Sequence, residues 1–179
     1  MAMTREQLMT AAIQRLNEDP TASMGQLAEA VGVSRATLHR HFSSREELMV
    51  ALGHRALDQW ERAQDEAGIT RPDDLAGALR ALLLGLIDCA DEYGFALTDY
   101  ATAVHPDLQR RSDELEEREI AFYEAAQAAG LIRAGLPVRW VSNVVYGLLV
   151  GVRESLRRGD VARRDVPRLL LETFHRGTA

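Results

Sequence analysis

The sequence contains one cysteine, Cys89, no lysine and five prolines among its 179 residues. A single cysteine excludes a disulfide within the chain, and the N-terminus lacks the basic start, apolar core and cleavage site of a secretory signal. The longest apolar run, Val144 to Val152, is far shorter than the ~20 residues that cross a bilayer. We therefore expect a soluble, cytoplasmic protein without a membrane partner.

The sequence also lacks the short motifs that accompany catalysis. It contains no glycine-rich phosphate loop, nucleophile elbow or cluster of metal ligands. His39 and His41 lie two residues apart, so on a helix they point to nearly opposite sides and are not expected to chelate one metal ion together. Cys89 has no arginine or histidine within four residues and is predicted to be a small core residue. We expect no enzymatic activity, no cofactor and no metal site.

Charge is unevenly distributed along the chain. Residues 1–55 hold six arginines and six acids, whereas the remainder carries 15 arginines against 21 acids, so the net charge of −6 belongs to the C-terminal part. Within the neutral part, residues 31–48 (VGVSRATLHRHFSSREEL) contain three arginines and two histidines before the first acid at Glu46. This small positive region in an acidic chain requires an explanation.

Helix formers dominate the composition, and no strand-like alternation persists, so we predict an all-α fold. Capping residues, glycines and prolines delimit the helices. Ser23 with Gln26 and Ser44 with Glu47 form the pattern of two capping boxes, and the acidic run DELEERE is predicted to be a solvated helix face. The predicted helices begin near Thr4 (to Asn17), Ser23 (to Gly32), Ser34, Ser44 (to Ala67), Pro72 (to Tyr93), Phe95 (to Val104), Pro106 (to Ala129), Pro137 (to Arg158) and Asp165 (to His175).

Two short helices between Ser23 and Phe42, joined by about four residues, have the length of a helix-turn-helix. Gly32 can adopt the positive φ that the turn needs, and a small residue, Ala28, faces the second helix. Leu27, Val31 and Leu38 are predicted to form its core. The remaining side chains of the second helix are therefore predicted to be exposed.

An exposed helix of this kind fits the major groove of double-stranded DNA, where its first residues reach the base edges. Arg35 can donate two hydrogen bonds to guanine, Ala36 permits close approach, and Thr37 can contact a base. Side chains farther along, together with the amide groups at helix starts, are better placed for phosphates. The predicted DNA-binding set is Ser23, Ser34, Arg35, Ala36, Thr37, His39, Arg40, His41 and Arg45.

Residues 4 to about 57 resemble the N-terminal domain of the tetracycline-repressor (TetR) family of transcriptional regulators. In that family the turn typically continues GVS-x-x-T-L-Y-x-H-F-x-S-K-E-x-L, and GVSRATLHRHFSSREEL matches it at ten positions. Two departures are His39 for the usual tyrosine and Arg45 for the usual lysine, both of which commonly contact phosphate. Ser23 replaces a threonine that usually caps the second helix, and a glycine that usually precedes it is absent.

The resemblance implies an N-terminal three-helix DNA-binding domain (1–50), linked by a long helix to a larger helical domain (51–179) that binds a small effector and dimerises. Gly147 and Gly151 would let a partner helix approach closely. The expected dimer interface comprises Val141, Val144, Val145, Leu148, Val152, Val166, Leu169, Leu170 and Phe174. The search region for an effector pocket comprises Trp60, Leu86, Cys89, Tyr93, Tyr100, Tyr123 and Tyr146.

We therefore predict a homodimeric, ligand-responsive repressor of a near-palindromic operator. On this hypothesis Arg35→Ala relaxes sequence preference, whereas Arg45→Ala weakens all DNA binding and its salt dependence. One alternative is a helical ligand-sequestering or protein-interaction module with an unused DNA-binding frame, and a weaker one is a helical enzyme.

Overall fold

The computed structural model describes residues 3–97 and 105–178, and every regular element within these ranges is helical. The predicted all-α class is confirmed. The predicted helix Phe95–Val104 is represented only by a 3₁₀ turn at Gly94–Leu97, and its other residues lie outside the described ranges. The α-helices are α1 (Arg5–Glu18), α2 (Met24–Val31), α3 (Arg35–His41), α4 (Arg45–Ala67), α5 (Leu75–Glu92), α6 (Pro106–Ala128), α7 (Val138–Arg158) and α8 (Val166–Thr178).

The N-terminal helices begin where their capping residues predict. The amide of Gln26 donates to Ser23 Oγ at 3.4 Å, and the amide of Ser23 donates back to Gln26 Oε1 at 2.8 Å, which confirms the first capping box. The second is only half formed. Ser44 Oγ accepts a hydrogen bond from the Glu47 amide at 3.0 Å. The Glu47 carboxylate, however, accepts hydrogen bonds from the amide and hydroxyl of Ser43 and not from the Ser44 amide.

The chain divides into two compact units. The first comprises the described residues of Met1–Leu57 and Glu92–Arg110, and its core is formed by α1 to α3 and the start of α4. Asn17 joins the returning segment to α1, since its side chain donates to the Glu92 carbonyl at 2.8 Å and accepts from the Phe95 amide at 2.9 Å. The sequence pattern did not indicate this return of the chain.

The second unit comprises Asp58–Asp91 and the described part of Arg111–Ala179. Its interior is filled by side chains that are almost inaccessible to solvent, including Leu82, Leu83, Tyr123, Val141 and Phe174. Among the residues described, no helix is long and apolar enough to cross a membrane.

Candidate nucleic-acid interface

Gly32 forms the turn between α2 and α3. Its backbone is left-handed, with φ at 77° and ψ at 28°, and its amide donates to the last carbonyls of α2. The next amide, of Val33, donates to the Ala28 carbonyl at 2.9 Å, which completes a glycine-terminated helix end. A side chain at position 32 would be strained because its backbone conformation suits only glycine well. The turn thus fixes the direction in which α3 leaves α2.

The helix α3 is held by one buried side chain. Leu38 has no solvent exposure, and the amide of Thr37 donates to the capping Ser34 Oγ at 3.1 Å. The other six side chains of α3 reach solvent. Arg35, Ala36 and Arg40 are exposed, and Thr37, His39 and His41 are partly exposed. This is the outward face that the sequence predicted for a DNA-reading helix.

His39 positions Arg35 on this face. Arg35 Nε donates to His39 Nε2 at 3.4 Å, and His39 Nδ1 lies 3.2 Å from the Ser43 carbonyl. The two contacts are compatible when the imidazole carries its hydrogen on Nδ1. His39 therefore contacts a neighbouring side chain of α3, a role different from the phosphate contact expected of the usual tyrosine.

The positive charge of α3 has no carboxylate partner among the residues that the structure describes. Within residues 3–97 and 105–178, neither Arg35 nor Arg40 makes an ion pair with a carboxylate. Arg40 makes only a long contact, 3.5 Å, to the Thr37 hydroxyl. Both guanidinium groups therefore keep donors for an anion or a base edge.

Arg45 occupies a different place from the one expected of a phosphate ligand. Its Nε donates to the Ala22 carbonyl at 3.1 Å and its Nη2 to the Pro20 carbonyl at 2.5 Å. These charge-assisted bonds tie the loop before α2 to the start of α4. Ser23 is similarly engaged, because its hydroxyl is hydrogen-bonded to Gln26. Both residues shape the motif in the structure, and DNA contact by either remains a prediction.

Replacing Arg45 by alanine should therefore destabilise the first unit. The loss of charged donors to two carbonyls is expected to lower the free energy of unfolding by about 1–3 kcal/mol, measured by urea denaturation. Arg45→Lys should recover part of this loss through one ammonium contact. If the alanine variant unfolds at the same urea concentration as the parent, the two bonds contribute nothing to stability.

The residues predicted to line an effector pocket differ in their surroundings and in their burial. In the second unit Trp60 and Tyr123 are joined through Glu119, and Leu86 is buried. Cys89 is half-buried, with its Sγ 3.6 Å from the Gln59 carbonyl. Of the other three, Tyr146 is 50% exposed, Tyr93 belongs to the first unit, and Tyr100 lies outside the described residues.

The prediction that DELEERE is wholly a solvated face was wrong for its last acid. Glu119 is only 4% exposed, and its carboxylate accepts hydrogen bonds from Trp60 Nε1, Gln64 Nε2 and the Tyr123 hydroxyl. Burial raises the pKa of Glu119. The signal was present in the sequence, since Glu119 follows Leu115 by four residues and precedes Tyr123 by four, on the apolar stripe of its helix.

Gln64 adds an unsatisfied acceptor to this cluster. It is completely buried, and its amide nitrogen donates to the Leu115 carbonyl at 2.9 Å and to Glu119 at 3.1 Å. Both neighbours are acceptors, so the amide orientation is fixed and Oε1 points elsewhere. This oxygen has no hydrogen-bond partner among the described residues. The cluster therefore has a carboxylate and an amide oxygen able to receive further donors.

The expected dimer interface needs a correction. Five of its nine residues are at most 3% exposed and pack inside the second unit, so they have no surface to offer a partner: Val141, Val145, Val166, Leu170 and Phe174. Val144, Leu148, Val152 and Leu169 are partly exposed. The large exposed apolar side chains of α7 are instead Trp140 and Tyr146, at 58% and 50%. Sequence periodicity identified an apolar helix without separating its inner side from its outer side.

Comparison with known proteins supports the interpretation of this motif. Residues 8–52 match the family model "Bacterial regulatory proteins, tetR family". The chain is 28% identical over 160 residues to the HTH-type transcriptional repressor LfrR of Mycolicibacterium smegmatis, covering 87% of this chain and 80% of that protein. It is 27% identical to the HTH-type transcriptional regulator NfxB of Pseudomonas aeruginosa, covering 97% and 94%.

Solved structures share the fold over nearly the whole chain. The crystal structure of LfrR in complex with proflavine superposes with a TM-score of 0.73 at 25% identity, covering 95% of this chain and 94% of that one. The ketosteroid regulator KstR2 of Mycobacterium tuberculosis gives a TM-score of 0.80 at 17% identity, covering 100% and 96%. The latter shows similarity of fold alone.

A left-handed glycine turn precedes an exposed α3 whose arginines have no carboxylate partner in the part of the chain that the structure describes. With the family-model match, these features define a helix-turn-helix DNA-binding regulator of transcription. Residues 8–52 match the TetR family of such regulators, and most of the chain is similar to regulators described as TetR-like.

Proposed function

We propose that the protein is a homodimeric repressor that binds a near-palindromic operator and is released from it by a small molecule. The observation that carries the proposal is the outward face of α3, where Arg35 and Arg40 are exposed without a carboxylate partner in the described chain. Such a face suits the polyanionic surface of DNA, whose phosphates supply most of the binding affinity. A cytoplasmic location goes with this proposal.

The residues of α3 divide between reading bases and holding phosphates. Arg35, at the start of the helix and steadied by His39, is assigned to a guanine, and Ala36 leaves room for the helix to approach. Arg40 and His41 lie about one and a half helical turns later and are assigned to phosphates. This assignment accounts for the positive region of an otherwise acidic chain.

A second copy is proposed to pack on the exposed face of α7. Trp140 and Tyr146 present large apolar surfaces there, and a Cβ added at Gly147 or Gly151 would meet nothing within 4 Å. This open, partly apolar side allows close approach of another helix. In a two-fold dimer, equivalent recognition helices would read half-sites about 34 Å apart, or somewhat more, along the DNA.

The effector is proposed to bind at the Glu119 cluster in the second unit. Its buried carboxylate has three neutral donors, and the Gln64 oxygen beside it lacks one, so a ligand with donor groups or positive charge complements the site. LfrR, which is similar in sequence and fold, has been crystallised with proflavine. Each tenfold loss of operator affinity requires about 1.4 kcal/mol of preference for the released state.

The buried Glu119 predicts a pH dependence of stability that Glu119→Gln removes. Because burial raises its pKa in the folded state, the native protein binds the proton more tightly than the unfolded chain does. The stabilising effect is complete below the ordinary pKa of 4.5 and is lost as the pH rises through the folded pKa. The variant, relative to the parent, should gain stability between pH 4 and neutral pH in urea titrations. If the difference in stability between variant and parent stays constant across that pH range, Glu119 does not ionise within it.

The experiment that tests the proposed function is a gel-shift titration with DNA from upstream of the protein's own gene. A repressor should shift this DNA at lower concentration than random DNA, and both shifts should weaken with added salt. A ligand-sequestering or protein-interaction module would give no shift at modest salt. Release by an added planar cation such as proflavine from parent but not Glu119→Gln protein would support the effector assignment.

A further inference from the structure

A groove of about 580 Å³ lies along α8 in the second unit, far along the chain from the helix-turn-helix. One turn-forming segment and α8 contribute Arg164, Arg168 and Arg176, and α5 contributes Arg80. Pro167 and Leu171, one helical turn apart and partly exposed, provide apolar surface between them. The groove therefore combines several guanidinium groups with an apolar patch, at a size suited to a small organic ligand.

Three of these arginines lack a partner within the described residues. Arg168 forms an ion pair with Glu172 at 3.1 Å, the one acid that lines the groove. Within the described chain, Arg80, Arg164 and Arg176 have no hydrogen-bond or ion-pair partner. Elsewhere in the same unit Arg62 and Arg71 also have no side-chain partner among the described residues, but neither lines this groove. The arginines of that unit that pair with carboxylates are Arg111, Arg118, Arg139, Arg157, Arg158 and Arg163.

The surrounding composition makes this grouping unusual. The second unit has 14 arginines against 18 acids, so carboxylate groups outnumber the arginines. Even so, three arginines without a partner in the described chain line one groove. The helix dipole gives an ordinary reason for Arg176, which lies in the last turn of α8. The helix dipole gives no such reason for Arg164, because this residue lies just before the N-terminus of α8, which is the positive end of the helix. Mutual repulsion of these side chains is relieved when an anion binds between them.

We propose that this groove binds a small organic phosphate, separately from the effector assigned to Glu119. Guanidinium groups match phosphate oxygens in planar, two-pronged hydrogen bonds, so Arg80, Arg164 and Arg176 hold the phosphoryl groups. The carbon part of the ligand lies on Pro167 and Leu171. Because the groove belongs to the second unit, occupancy links the regulator to a phosphorylated metabolite without engaging the DNA-reading helix.

The test is calorimetric titration of the full chain with inorganic pyrophosphate and with ADP at low salt. Parent protein should bind both, ADP more tightly because its nucleoside contacts the apolar patch. The double variant Arg80→Ala, Arg164→Ala should bind at least tenfold more weakly, and Glu172→Gln, which removes the groove's acid, should bind more tightly. Arg62→Ala is the matched control, since Arg62 is an exposed arginine of the same unit without a partner in the described residues.

Each outcome bears on the groove itself. Unchanged binding in the double variant, or an equal loss in Arg62→Ala, would overturn the proposal in favour of non-specific charge. All variants should unfold at the parent's temperature and shift DNA as the parent does. If the double variant keeps its fold but loses operator binding in parallel, the groove contacts DNA and the small-ligand proposal is wrong.

Discussion

Replacing Phe42 by alanine is expected to lower the free energy of unfolding of the DNA-binding unit by about 3–5 kcal/mol. The ring is completely buried at the end of α3, where it packs in the same core as Leu38 and carries the Arg5 guanidinium 4.6 Å above its centre. Its removal leaves a cavity beneath the recognition helix. Because a domain is stable by only about 5–15 kcal/mol, a large part of that stability is lost. Urea denaturation followed by circular dichroism measures the change.

Phe42→Leu is the matched control, since it retains most of the apolar volume. This variant should lose clearly less stability than Phe42→Ala and should keep operator binding at moderate temperature. Phe42→Ala should bind DNA only where the unit remains folded, so its binding should decline with temperature before that of the parent. Equal stability of parent and alanine variants would show that the ring does not hold α3 in place.

Arg35→Ala is expected to weaken operator binding by about 1–3 kcal/mol, or roughly 5- to 150-fold, while changing random-DNA binding much less. The physical reason is that a bidentate contact with one guanine discriminates among bases, whereas phosphate contacts do not. His39 contributes by holding Arg35 Nε, so His39→Ala should show a smaller loss of the same kind. Fluorescence anisotropy with operator and scrambled duplexes measures both affinities.

The comparison variant is Arg40→Ala, which removes an exposed arginine assigned to phosphate. It should weaken operator and scrambled DNA about equally and reduce the slope of log affinity against log salt by about one. If Arg35→Ala and Arg40→Ala each lose equal affinity for both duplexes, the assignment of Arg35 to a base and of Arg40 to a phosphate is contradicted.

Local chemistry made the helix-turn-helix predictable from the sequence. Ser23 with Gln26, the glycine at 32 and the cap at Ser34 each act within four residues, so their geometry follows from the residues themselves. Leu27 and Leu38 were predicted as core and have no solvent exposure. The boundaries of α3 and the long α4 were predicted for the same reason.

Long-range contacts were not predictable in this way. The bonds from Arg45 to Pro20 and Ala22 join residues more than twenty positions apart, and a positive side chain beside a recognition helix suggested phosphate instead. Helical periodicity also does not reveal whether the apolar face of a helix packs inside its own chain or against a partner chain. For that reason Phe174 was assigned to a partner chain although it lies in its own core, and Glu119 was assigned to solvent although it is buried.

The most direct test of the central claim is a site-specific cross-link from α3 to DNA. In a Cys89→Ser background the chain has no other thiol, so Ala36→Cys places a single one on the exposed face of the helix. With operator DNA carrying a tethered thiol in the major groove, we predict a disulfide cross-link from Ala36→Cys and none from Ala76→Cys, an exposed position on the second unit. A cross-link from Ala76→Cys alone, or none from Ala36→Cys on DNA that the protein binds, would contradict the account.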